Sequence, residues 1–155
     1  MPAVLDRFRE LRDAPSPTPD DLDALWADLA PVDVPDILGH WTGGDFATGH
    51  VVSTVLTKSR WHGKWFDAPL DVTPIVCRDE ADQLVANEKA AGGGGASLWN
   101  LEFRGEVTAT MVYDRLPVFD HFKAVDENTL MGIMNGKLQS TYGISDLYYF
   151  WLERE

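Results

Sequence analysis

Few side chains in this chain of 155 residues are of types that do chemistry: four histidines, one cysteine, and charged or phenolic groups set inside apolar segments. His40, His50, His62 and His121 show no His-x-x-x-His spacing, and no Cys-x-x-Cys accompanies them, so no metal site is read from the sequence. Asp120 and His121 are neighbours, but on a strand adjacent side chains point to opposite faces, so they do not form a dyad by themselves. His50 and His121 could still converge in space with Tyr113 or Asp114. Cys77 lies in the apolar run TPIVC, where a buried, inert thiol is expected rather than a nucleophile. The run of four glycines at 92–95 lacks the Lys-Ser/Thr of a phosphate loop and does not join a strand to a helix, so it reads as a flexible loop over a barrel mouth, beside which a ligand would enter.

The polar residues within apolar segments are more telling. Arg104, Tyr113, Asp114, Arg115 and Lys123 sit in or beside stretches that otherwise supply core. Such groups fix a ligand's polar head while apolar walls hold its tail, although Arg104, Asp114 and Arg115 also suit exposed turns. The residues read as ligand contacts are Trp65, Trp99, Phe103, Arg104, Met111, Tyr113, His121 and Phe122. The many aromatics, with Met111, Met131 and Met134, could line a cavity or simply fill a core.

These side chains need a scaffold. Val4, Leu5, Phe8 and Leu11 share one helix face, and a second helix starts at Thr18 as N-cap with Pro19 in its first position. Residues 1–33 therefore read as a helical segment packed on a domain spanning 34–155. Residues 51–60 place apolar side chains at 51, 52, 55 and 56, the spacing of a short helix rather than a strand. Strand-like runs follow at 70–77, 83–86, 97–103, 106–114, 118–126, 128–135 and 147–155, with a hairpin turned at Arg104-Gly105. The expected architecture is mainly β with N-terminal helices. About eight to ten antiparallel strands form a closed barrel, because closure removes exposed edges.

Composition narrows the function classes. Thirteen Lys and Arg against 25 Asp and Glu give a net charge of −12, which repels nucleic acid and anionic lipid headgroups. No apolar run is long enough to span a membrane. The first residues, MPAVLDRFRELRD, are charged throughout and do not read as a signal peptide, so a cytoplasmic protein is expected.

The stretch DILGHWTGGDFATGH places Trp41 among Gly39, Gly43, Gly44 and Gly49. Its Gly-x-Trp resembles the first strand of the calycins, the lipocalins and cytosolic fatty-acid-binding proteins. In that group the tryptophan typically packs against an Arg or Lys of the last strand, here Arg154, and the fatty-acid-binding branch follows its first strand with a helical lid. Together with WHGKWF, MVYDRLPVFDHF and YYFWLER, the chain from about 34 to 154 resembles the bacterial GXWXG family, with Gly39, Trp41 and Gly43 as signature. The resemblance implies a small calycin-like barrel with an apolar interior that holds a hydrophobic or amphipathic ligand, a fatty acyl chain or phospholipid first among them. No cofactor is expected. One alternative is a haem-binding barrel like the nitrobindins, although no histidine follows His121 where those barrels carry their iron ligand. Another is a small enzyme acting on a hydrophobic substrate in the same cavity.

Overall fold

A computed structural model describes residues 3–155. Two helices lead, α1 (Val4–Asp13) and α2 (Pro19–Asp28), and Thr18 caps α2 by accepting from the Asp21 amide at 3.2 Å. The strands are β1 (Ala30–Pro31), β2 (Gly39–Asp45), β3 (Trp61–Ala68), β4 (Asp71–Arg78), β5 (Leu84–Ala86), β6 (Ala96–Phe103), β7 (Glu106–Tyr113), β8 (Val118–Asp126), β9 (Thr129–Gly136) and β10 (Tyr148–Arg154). Helix α3 (Val51–Lys58) follows β2, and α4 (Leu138–Tyr142) precedes β10.

The ring runs β2-β3-β4-β6-β7-β8-β9-β10 and returns to β2, every pairing antiparallel. Its thinnest seam is β4–β6, joined by the single pair Val72–Ala96. Beyond that pair β4 is flanked by β5 instead. The hairpin turn between β6 and β7 falls at Arg104-Gly105, as the sequence suggests, and both residues have positive φ (53° and 81°), as a two-residue type I′ turn requires.

Alternation along the strands sorts two cores. Inside the ring lie Trp41, Phe66, Leu98, Ala109, Met111, Phe122, Leu130, Phe150 and Leu152. Outside it, α1 and α2 cover β9 and β10, burying Phe8, Leu22, Leu25 and Trp26 against Met131, Ile133 and Tyr149. The N-terminal segment does more than pack on the barrel. Its residues 30–31 pair with β8, and the Val32 carbonyl accepts from the Ala109 amide at 2.8 Å, so the chain wedges between β7 and β8.

The glycine-flanked tryptophan is now accounted for. Gly39 takes φ of +128°, a conformation that turns the chain sharply as β2 begins. Trp41 then points inward, 1% exposed, with its Nε1 donating to the Ile37 carbonyl at 2.9 Å. Arg154 at the end of β10 lies with its guanidinium 4.2 Å from the Trp41 ring centroid and donates to the Leu38 and Asp36 carbonyls. The later glycines make room for aromatics: a Cβ at Gly43 would fall 2.3 Å from the Trp61 ring, and one at Gly44 2.1 Å from the Trp151 ring.

Helix α3 forms where the apolar spacing puts it, and His50 caps it, accepting from the Val52 amide through Nδ1 at 3.1 Å. Val52 and Leu56 point into the barrel, while Val51 and Val55 remain exposed. Besides a single 3-10 turn at Val34–Ile37, the elements that escape the sequence reading are β1, β3 and α4. Strand β3 pairs with β4 through register shifts at Gly63, which break simple alternation.

Trp41→Ala is expected to destabilise the fold by roughly 3–5 kcal/mol, the cost of emptying a fully buried aromatic site. Trp99→Ala, on the half-exposed outer face, should cost no more than about 0.5 kcal/mol. Equal losses for the two variants in urea unfolding would contradict the assignment of Trp41 to the closing core.

Candidate functional site

Strand β3 turns Trp61, Lys64 and Phe66 inward, and β8 turns Val118, Asp120 and Phe122 inward. This parity brings Lys64 and Asp120 together across the barrel interior. Lys64 Nζ lies 3.1 Å from Asp120 Oδ2, with side chains 4% and 0% exposed. The ammonium also donates to the Pro74 carbonyl at 2.9 Å and comes within 3.5 Å of the Tyr113 hydroxyl oxygen. Three rings surround it, those of Phe150, Trp61 and Tyr113, at 5.3–5.7 Å. The ammonium thus has two hydrogen-bond acceptors, and Asp120 supplies the opposite charge beside it.

Asp120 is less well served. Its Oδ2 is close to Lys64 but off the direction a hydrogen bond needs, and its Oδ1 has no donor among the described residues. Burial raises its carboxyl above the ordinary range, and the Lys64 charge partly opposes that rise. Tyr113 stands beside the carboxylate. Burial first, and the Asp120 charge next, push its hydroxyl well above the usual phenol range, so it stays protonated.

These three groups form the polar end of a cavity of about 30 Å³, whose remaining walls are apolar: Val52, Val55 and Leu56 of α3, Trp61, Ile75, Ala90, Met134, Tyr142, Tyr148 and Phe150. Its lid is α3. The Gly92–Gly95 loop does not reach it. Gly94 and Gly95 instead border a separate cleft with Asp71, Thr73 and Asn87. A volume of 30 Å³ admits roughly two waters, so an acyl chain requires α3 to move outward.

Of the eight residues read from the sequence as ligand contacts, Tyr113 alone lies on this cavity. Met111 and Phe122 are buried in the barrel interior away from its wall. The other five are on the outside. Trp65 stacks on His40, which hydrogen-bonds Asp67 at 2.8 Å. Trp99 is 50% exposed, and its Nε1 donates to Ser97. Phe103 is sandwiched between the His121 ring, at 4.0 Å, and Trp26 of α2. Arg104 at the hairpin tip pairs with Asp23 of α2 at 2.9 Å, and Tyr149 donates to the same carboxylate at 2.7 Å. All five lie on the outer face of their strands or at a hairpin tip; Phe103 and Arg104 there meet α2, whereas Trp65 and Trp99 lie away from the helical cover.

His121 points outward, where its Nδ1 meets Thr110 Oγ1 at 2.9 Å and its Nε2 faces Asn135 Nδ2 at 3.3 Å. With His40 held by Asp67, His50 by Val52 and Asp146, and His62 by Glu155, no histidine lines the cavity. These placements do not suit an axial haem ligand inside the barrel. No cluster of three metal-ligating side chains occurs among the described residues. Cys77 is buried, and Lys123, far from the cavity, lies under Trp26 and pairs with Glu106.

The fold and its interior define a closed antiparallel β-barrel with one small cavity holding a buried ion pair, capped by a short helix. The model of the GXWXG protein family matches residues 24–82, and that of a domain of unknown function, DUF4334, matches residues 94–154. A crystal structure of a protein from Thermomonospora curvata is similar over 98% of both chains, with 33% identity and a TM-score of 0.86. This chain belongs to the GXWXG family. No curated protein matches it. No helix among the described residues is long and apolar enough to cross a membrane.

Two measurements check the electrostatics. Lys64→Met leaves a buried carboxylate unpaired and should cost about 3–5 kcal/mol, whereas Lys64→Met with Asp120→Leu should recover most of that loss. A double variant as unstable as the single one would show that Lys64 contributes by packing alone. Burial, helped by the nearby Arg104 charge, lowers His121 to about 4. A depressed folded value favours the neutral ring, so its contribution is full above the unfolded value near 6.5 and is lost as pH falls towards 4. Wild-type unfolding free energy should therefore drop over that window, and His121→Gln should flatten the drop; an unchanged profile would contradict it.

Proposed function

We propose that this protein binds one small apolar or amphipathic molecule inside its barrel, beneath α3, in a calycin-like manner. The observation that carries the reading is the pair Lys64–Asp120, buried at an otherwise apolar cavity and with Asp120 incompletely hydrogen-bonded among the described residues. Burying two charges costs several kcal/mol per ion, and packed apolar residues would serve folding as well or better. A polar end in an apolar cavity is instead what orients a ligand. The walls are adaptable: Met134 and the short side chains of α3 can yield, and α3 is a lid held by Val52 and Leu56 alone of its residues in the core. Acyl chains belong to the class that would fit once α3 swings outward.

The acidic surface argues that a lipid is taken up as a single molecule and not collected from an anionic bilayer. A cytoplasmic location accords with that use. No catalytic group is assigned.

Titration with the neutral fluorescent probe N-phenylnaphthylamine tests the reading. Wild type should give saturable enhancement at one site per chain, displaced by aliphatic competitors. Ala90→Trp, which fills the cavity mouth at a partly exposed position, should weaken binding by about tenfold or more, roughly 1.4 kcal/mol. Absence of saturable binding, or an Ala90→Trp protein that binds like wild type, would overturn it.

A further inference from the structure

The polar end of the cavity selects among ligands by its unfilled hydrogen-bonding capacity. Lys64 is already engaged: it donates to the Pro74 carbonyl, comes within 3.5 Å of the Tyr113 oxygen and has its counter-charge in Asp120 at 3.1 Å. A ligand carboxylate could reach Lys64 only by taking one of those acceptors' places, and it would then sit against the Asp120 carboxylate. Asp120 has the opposite character. A carboxylate offers about four lone-pair sites. Lys64 can occupy one and the adjacent Tyr113 hydroxyl another, while Oδ1 and Oδ2 have no directed hydrogen bond among the described residues. The capacity left over is therefore acceptor capacity, and it faces the cavity.

Charge points the same way. Lys64 and Asp120 neutralise each other, and no other ionisable side chain except Tyr113, Tyr142 and Tyr148 lines the cavity. Tyr148 is already committed, donating to Asp45 at 2.7 Å. An ionic ligand would add an uncompensated charge to a desolvated, net-neutral site. We infer that the cavity is built for a neutral molecule that donates a hydrogen bond, an aliphatic or alicyclic alcohol or a phenol, and not for the carboxylate of a fatty acid. In the bound state the ligand hydroxyl donates to Asp120, Trp61 and Phe150 contact the carbon skeleton, and α3 closes over it. The inference rests on the cavity-binding reading above and adds the chemistry of the head group.

A matched series tests it: octanol, octanoate and octylamine at pH 7, each titrated calorimetrically and by displacement of the neutral probe. Octanol should bind at least about tenfold more tightly than either ionic analogue, the scale set by burying an uncompensated charge. In the double variant Lys64→Met with Asp120→Leu, a substitution that keeps the interior filled and uncharged, the protein should fold and still bind the probe. Its octanol affinity should fall to that of octane. Octanoate or octylamine binding as tightly as octanol to wild type would overturn the inference while leaving the cavity reading intact. So would an octanol preference over octane that survives in the double variant. If the probe and all three octyl compounds fail to bind wild type, the cavity reading fails and the inference with it.

Discussion

Tyr148–Arg154 must pair along both edges, with β9 on one side and β2 on the other, and on that double pairing the closed ring depends. The strand comes last in the chain, whereas β2 comes near its beginning, so closure brings together residues more than a hundred positions apart. Arg154 stands opposite Trp41 in that register, and its guanidinium covers the indole while bonding to the Leu38 and Asp36 carbonyls just before β2. One side chain thus satisfies carbonyls of the turn, shields the core's end and fixes the register. A slip by one residue would turn Trp41 and Phe150 outward and expose the interior.

With closure secured, the interior has capacity that closure itself does not use. Aromatics fill most of it: Phe66, Phe122 and Phe150 make tilted and edge-on contacts at 5.7–5.9 Å. Towards α3 the filling stops, and Lys64 and Asp120 occupy the boundary between packed core and cavity. The outer core under α1 and α2 shows the contrast. There Lys123 has the Trp26 carbonyl and Glu106, and Arg104 has Asp23, so the charged groups are matched within the protein, although the indole N–H groups of Trp26 and Trp151 have no acceptor among the described residues. Among the described residues, Asp120 in the cavity is the buried carboxylate that retains acceptor positions without donors. Asymmetry of that kind marks a binding end more clearly than cavity size does.

Much of the scaffold was legible in the chain's own pattern. The Ala109/Met111/Tyr113 alternation gave an inward face and the 51, 52, 55, 56 spacing gave α3, while the contact of Trp41 with Arg154 came from the resemblance to the calycins. The site was less legible, for a physical reason. Strand periodicity tells which residues share a face but not which face is covered by helices. Trp99, Leu101 and Phe103 look like a wall, yet they face outward, with Phe103 buried by Trp26 instead of by ligand. His121 drew notice as a histidine, while its neighbour Asp120, in step with Val118 and Phe122, was the inward residue. Parity carried that signal, as it did for Lys64 in step with Phe66 in WHGKWF. The bulged register of β3 at Gly63 obscured it, because a bulge shifts the alternation partway along the strand.

The most direct single measurement is a methyl NMR titration of the wild-type protein with octanol. Binding beneath α3 requires saturable shifts at Val52, Leu56, Ile75 and Met134, all with one dissociation constant, while Met131 and Ile133 of the outer core stay unmoved. Shifts concentrated on Met131, Ile133 and Leu25 would place the apolar site between helices and barrel, and would contradict an interior binding cavity.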